Sequence, residues 1–377
     1  MDEALMKHLL VDGGRLVLLH VPPGTEFGID MKIFTTGENF RGIKMIPPGI
    51  HFIHYSALNN YGDILPKVGF FYNFKKSEFV MRKWDINLQD VSSDNVPERE
   101  SVLLKDNVPT LDKFLGPYPL DVWKKWTVLS SHITDTLIKK LTPEVGKIRS
   151  ALDLEPCSNE NRPRNSGNDL NNQLMRRPRA GSSSMQDLED ELLPNMRPTA
   201  GTEIRFTAVP KRNFPEGSTP SQITHYSLDS TYALEKMLQN YPQEIDLIGE
   251  LQFSYICFLV GHSIEAFEHW KNLVCLLCSC DIAITKYYTL YDALITTLEV
   301  QILETPEEFL ADIVTNNNII YVKLRVFFRC VSDSDVDGRF KSKVEKFKSN
   351  LTNRYEWDFT HLDSDDEEDA PVVVELD

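Results

Sequence analysis

The sequence contains no apolar run long and uninterrupted enough to cross a membrane. Its opening stretch, "MDEALMKHLLVDGGRL", has no basic segment followed by a long apolar core, so no secretory signal is read there. Cysteine is scarce, with six residues in 377. Four of them, Cys257, Cys275, Cys278 and Cys280, sit in apolar, helix-like sequence and do not form a disulfide framework, which predicts a reducing compartment. Positive charge is also short. Forty Lys and Arg face 56 Asp and Glu, a formal charge of −16. Such a chain repels phosphate backbones, and direct nucleic-acid binding would need a segregated basic patch. A protein partner is the better expectation, including one that already carries RNA.

The catalytic motifs are missing too. There is no G-x-S-x-G elbow, no G-x-x-x-x-G-K-[ST] phosphate loop, no G-x-G-x-x-G and no H-E-x-x-H. "DSDVDG" opens at Asp333 like a calcium loop, but Val344 stands where the closing bidentate Glu belongs. It reads instead as an acidic loop capping a helix over 339–352. "CLLCSC" holds a C-x-x-C spacing with apolar flanks and no second pair, the pattern of buried structural thiols. His262, Glu265 and His269 share a helical face but read more simply as polar residues between packed Phe267 and Trp270. His51 and His54 have opposite strand parity and make poor joint ligands. The chain is therefore expected to be no enzyme and to hold no cofactor or metal.

What is present divides the chain into four. Residues 1–154 read as a β-rich domain with closing helices. "RLVLLHV", "GIHFIHYSA", "VGFFYNF" and "EFVMRKWD" are short apolar or alternating runs, punctuated by two "PPG" turns. A short helix precedes the first strand. Further on, Val122, Trp126, Leu129, Ile133, Leu137 and Leu141 mark one helical face. Residues 155–199, rich in Asn, Ser, Arg and Pro, read as a flexible linker, because so few aliphatics cannot offset the ordering entropy. "GTEIRFTAVP" restarts order as a strand-like run. Residues 200–360 carry helical segments near 226–240, 245–261, 264–281, 286–303, 306–315 and 318–330, whose short connections favour antiparallel neighbours. The fold class expected is α+β, with a sandwich-like N-terminal domain and an all-helical C-terminal one.

Residues 361–377 are an acidic leash ending in a β-strand. Six of the seven residues 363–369 are acidic, and Pro371 then opens Val372-Val373-Val374-Glu375-Leu376. Val372, Val374 and Leu376 share one face of an extended strand; Val373 and Glu375 share the other. Such a strand either adds to a partner's sheet or pairs with the chain's own β-domain. Its backbone would form roughly five hydrogen bonds at about 1 kcal/mol each, mostly offset by ordering. Tethering to a folded body that also touches the partner makes so weak a contact useful. In the linker, Arg177 and Arg179 precede Ser182 at the spacing a basophilic kinase reads, making Ser182 a candidate phosphorylation site against the alternative of a chance match.

"PPGTEFGID", "FRGIKMIPPGIHFIHYSA", "FLGPYP", "AGTEIRF", "FPEGSTPSQIT", "GELQFSYICFLVG", "EAFEHWKNLVCLLC", "RYEWDF" and "APVVVEL" together resemble the AAR-two proteins, A1-cistron splicing factors that assist assembly of the U5 small nuclear ribonucleoprotein. The resemblance runs from Pro22 to Leu376 and lapses mainly in the linker. It implies a VHS-like helical domain and a cytoplasmic and nuclear assembly chaperone, monomeric before complex formation. It also implies a partner, the large U5 scaffold protein (pre-mRNA-processing-splicing factor eight). Family members hold that protein's RNase-H-like and Jab/MPN-like domains together and delay the helicase. The strand threaded between those domains corresponds to Val372, Val373, Val374, Glu375 and Leu376. Two other readings stand beside this one. A generic helical adaptor would not need the tail. A β-barrel metalloenzyme would draw on His51, His54 and Glu26.

Overall fold

The computed structural model describes residues 3–59, 61–92, 96, 102, 108–157, 196–310 and 318–360. After helix α1 (Glu3–Asp12) come β1 (Gly14–Leu19), β2 (Glu26–Ile29), β3 (Lys32–Thr35), β4 (Gly42–Ile46), β5 (Gly49–Ser56), β6 (Val68–Phe74), β7 (Phe79–Asp85) and β8 (Asp90–Val91). A one-turn helix α2 (Val108–Leu111), strand β9 (Leu115–Pro117), helices α3 (Trp123–Leu129) and α4 (Asp135–Leu141) and strand β10 (Ile148–Arg149) complete the N-terminal part. Two five-stranded sheets form, in the orders β8-β7-β1-β4-β9 and β10-β6-β5-β2-β3. The first is mixed, since β1 runs parallel to β7 and antiparallel to β4; the second is antiparallel throughout.

The sheets face each other across a core of Leu16, Leu18, Phe27, Ile29, Ile43, Ile53, Tyr55, Val80 and Trp84. This is the sandwich the alternating runs predict. Strand β1 is apolar without alternation because both its faces are covered: Leu16 and Leu18 look into the sandwich, while Val17 and Leu19 meet Met81, Leu111 and Leu115.

The face that predicts one helix across 122–141 is split. Helix α3 ends at Ser130, and Thr134 opens α4 by accepting a hydrogen bond from the Leu137 N–H. The apolar side chains keep their role, and Trp126, Leu129, Ile133, Leu137 and Leu141 are all buried.

Strands β11 (Leu154–Pro156) and β12 (Met196–Pro198) pair antiparallel, Leu154 opposite Pro198 and Pro156 opposite Met196. Arg197 clamps Glu155 with Nη2 2.6 Å from Oε1. The Arg- and Ser-rich segment, which with Ser182 lies outside the described residues, therefore enters and leaves at one neck. Because loop closure costs about 0.6 kcal/mol per doubling of length, replacing 158–194 by a two-residue Gly–Asn turn is expected to raise stability by up to about 2.5 kcal/mol. A thermal melt checks this; a fall of ten degrees or more would show that the segment holds the domains together.

"GTEIRFTAVP" does not form a strand. Residues 202–209 run as irregular chain, because the Arg205 N–H is taken by the Leu141 carbonyl and the Thr207 N–H by a Glu250 side chain. Nine helices follow among the described residues: α5 (Pro220–Leu228), α6 (Thr231–Leu238), α7 (Asp246–Leu259), α8 (Ile264–Cys278), α9 (Asp281–Lys286), α10 (Tyr288–Glu304), α11 (Glu307–Leu310), α12 (Ile319–Asp333) and α13 (Gly338–Tyr355). The fold is thus α+β, with the β-rich part first and the helical part second. The end of the helix expected at 306–315 falls outside the described residues.

Candidate functional site

The residues that sequence reasoning assigns to partner binding, Val372, Val373, Val374, Glu375 and Leu376, lie outside the described residues. Their root does not. Helix α13 ends in a left-handed residue, Glu356 (φ 57°), whose N–H bonds the Thr352 carbonyl. That turn sends "WDF" back over the α12–α13 hairpin. Phe359 is buried, 4.9 Å from the Phe328 ring and 5.3 Å from Tyr321, and Trp357 stacks on Tyr355 at 5.0 Å. Arg325 Nη1 donates to the Asp358 carbonyl at 3.0 Å and the Thr360 carbonyl at 3.5 Å. An aromatic anchor and a guanidinium clamp thus fix where the C-terminal segment leaves the body.

That body is continuous from sheet to helices. The outer face of β5 and β6 presents Phe52 and Phe71, and Phe71 stacks on Phe253 of α7 at 4.7 Å. Gln252 Nε2 donates to the Val128 carbonyl at 2.9 Å, and the His132 N–H donates to Gln252 Oε1 at 2.8 Å. Helix α7 comes this close only at Gly249, where a Cβ would stand 2.3 Å from the His132 carbonyl oxygen. At the rim, the Lys67 ammonium donates to the Val260 carbonyl and to His262 Nε2, each at 3.1 Å. The helical part that anchors residues 357–360 is therefore packed directly against the β-rich part.

Two buried carboxylates organise this body, and neither was singled out from the sequence. Asp30, fully buried and left-handed (φ 54°), meets His51 Nδ1 at 2.7 Å and Tyr118 Oη at 2.6 Å through Oδ2. Its Oδ1 accepts the Phe52 N–H at 3.0 Å. Burial, with the Asp30 charge beside it, raises the Tyr118 pKa far above the usual phenol range. Glu250, also fully buried, accepts from the Thr207 N–H (2.7 Å), Thr207 Oγ1 (2.8 Å), Tyr241 Oη (2.8 Å) and His269 Nε2 (2.9 Å). One signal was available for each: a carboxylate set among apolar residues, as in "FGID" or "LIGELQF", must find partners once buried.

The other sequence candidates are placed as follows. His51 and His54 are both buried on opposite faces of β5, His51 toward Asp30 and His54 with Nε2 3.1 Å from the Asp30 carbonyl oxygen. Burial and then the nearby Lys67 lower the His54 pKa to about 3, so it stays neutral. Glu26 is half-buried on β2. His262, Glu265 and His269 do not converge: His262 precedes α8 and touches Lys67, whereas His269 turns inward to Glu250. Asp337 caps α13 by accepting from the Phe340 N–H at 2.7 Å, as the capping reading of "DSDVDG" expects. Cys278 and Cys280 are buried, and burial raises their thiol pKa values.

Two surface features remain. Strand β3 ends its sheet with Ile33 and Phe34 exposed. A cleft of about 210 Å³ beside β10 is lined by Tyr55, Leu65, Leu88, Arg149 and Leu152. Its guanidinium is met by Asp90 at 3.0 Å and Asp153 at 3.2 Å, and Lys147 meets Asp90 at 2.8 Å, so its charges are locally balanced.

Comparison with known proteins gives two family models that divide the chain at the same place as the fold. The AAR2 N-terminal domain matches residues 12–143 and the AAR2 C-terminal repeat region matches residues 206–360. Proteins named "Protein AAR2 homolog" from Mus musculus and Homo sapiens are each 41% identical to this chain, over 100% of it and 97% of the relative. One from Caenorhabditis elegans is 31% identical over 94% of the chain and 97% of the relative.

Proposed function

The chain belongs to the AAR2 family, and from that membership we propose that it is a non-enzymatic assembly factor of pre-mRNA splicing. The observation that carries this reading is a match at 41% identity over the whole chain, through both domains. In this reading the partner is the large scaffold protein of the U5 particle, bound at its RNase-H-like and Jab/MPN-like domains. The body docks, and the strand at Val372, Val373, Val374, Glu375 and Leu376 adds to the partner's sheet, delaying the helicase. The anchored root at Phe359 and Arg325 supports such a tethered strand, since a fixed origin raises its effective concentration at a docked partner. Action by binding is further supported by the state of His51 and His54, both buried and bonded to Asp30.

Calorimetry with the two purified scaffold domains tests this. A truncation ending at Asp369 is expected to bind the domain pair at least tenfold more weakly, about 1.4 kcal/mol, with its melting temperature unchanged. Equal affinity would assign recognition to the folded surfaces and leave the strand to the chain's own sheet.

A further inference from the structure

The chain as a whole is acidic, yet its last described helix is not. Helix α13 carries Arg339, Lys341, Lys343, Lys346, Lys348 and Arg354 against a single acid, Glu345. Four of these cations, Arg339, Lys343, Lys346 and Arg354, follow the helical repeat at i, i+4, i+7 and i+15, and so form one stripe along its flank. Lys343 is answered within the fold by Asp292 at 2.6 Å. Arg339, Lys346 and Arg354 are exposed and have no ion-pair partner among the described residues. On the opposite flank Lys341 donates to the Ser332 carbonyl.

His361 and Leu362 separate the last described residue, Thr360, from the six acids of 363–369. The chain departs beside this same hairpin, because Arg325 of α12 holds the Asp358 and Thr360 carbonyls and Phe359 is buried against Phe328. Nine extended residues beyond Thr360 reach about 30 Å. An 18-residue helix is about 27 Å long. The acidic segment can therefore cover the stripe from Arg354 back to Arg339 without straining its anchor.

We infer that segment 363–369 docks on the basic flank of α13, an intramolecular electrostatic clasp that stores the following strand against the body until a partner takes it. Charge sign, anchoring and reach together favour this occupant over an external one. Each exposed ion pair is weak, but a short tether supplies the segment at roughly millimolar local concentration. Screening over about 10 Å at 0.1 M salt loosens the clasp. It does not require strand addition, so it stands on charge and length whether or not the strand engages the scaffold.

Zero-length carbodiimide crosslinking of the full chain, read by peptide mass spectrometry at 20 mM and 500 mM salt, tests it. Intramolecular links from 363–369 to Lys346 are expected at least fivefold more abundant at low salt, with the Lys343–Asp292 link as internal control; links mainly to Lys341 and Lys348, on the opposite flank, would overturn the docking site. Acetylation of Lys346 is expected to be about threefold slower in the full chain than in one ending at Thr360, and equal in the two at high salt. Links confined to dimers would overturn the proposal in favour of a second copy. Equal acetylation at both salts would overturn it outright. Both outcomes are separable from the strand's role, because truncation after Asp369 leaves the acidic segment in place.

Discussion

Glu250→Ala is expected to lower unfolding stability by about 3–5 kcal/mol, the usual cost of breaking a buried charged network from one side. The carboxylate is the shared acceptor for the Thr207 N–H and hydroxyl, the Tyr241 hydroxyl and the His269 ring, and it lies 4.0 Å from the Lys140 ammonium. Removing it strands four donors around a fully buried position. It also releases the irregular segment 202–209, which no sheet holds. Urea or thermal unfolding measures the loss; a change under about 1 kcal/mol would mean that water replaces the carboxylate without penalty. Glu250→Gln keeps the volume and one acceptor and should lose less.

The pH dependence has a definite sign. Burial pushes the Glu250 pKa up, but the hydrogen bond and charge of His269, joined by the Thr207 donors, outweigh it and hold the pKa below its usual 4.5. A depressed carboxyl pKa stabilises the fold above the unfolded value and loses that contribution as pH falls through the folded one. The gap between the native chain and Glu250→Gln should therefore be constant above about pH 5 and narrow below pH 4. A gap that widened on acidification would mean that the carboxyl is held neutral instead.

Local periodicity made the architecture readable, and pairing across distance hid the rest. The apolar runs of β1, β5 and α7 and the one-sided apolar repeat of α8 each reported their burial directly, since an element covered on all sides shows no period and a helix covered on one side shows 3.6. Asp337 was legible as a cap because an N-cap bonds a residue three positions on. The break between α3 and α4 was not, because both helices face the same core and the apolar spacing runs through it. Residues 202–209 looked like a strand for their β-branched content, but propensity cannot tell which acceptor wins, and Leu141 and Glu250 outcompete any sheet. Glu250 and Asp30 were visible only as carboxylates out of place. Their partners lie 9 to 43 residues away for Glu250 and 21 to 88 for Asp30, beyond the reach of a helical or strand repeat.

Asp30→Ala is expected to cost about 3–5 kcal/mol, and three substitutions there separate its causes. Asp30 does two jobs at one position: its carboxylate ties β5 to the segment before α3 through His51 and Tyr118, and its backbone occupies the left-handed region between β2 and β3. Alanine loses both the acceptors and the tolerance for that backbone, the latter worth about 1–2 kcal/mol. Glycine relieves the backbone and loses only the acceptors. Asparagine tolerates the left-handed conformation and keeps one acceptor oxygen, so stability should fall in the order Asp, Asn, Gly, Ala. The His51 ring, stacked 5.9 Å from Trp123 and 6.4 Å from Trp126, reports on the same site. Losing its carboxylate should change tryptophan emission in all three variants, including the one that keeps most of its stability. If Gly and Ala proved equally destabilised, backbone strain would contribute nothing, and the hydrogen-bonded carboxylate alone would set the cost of the site.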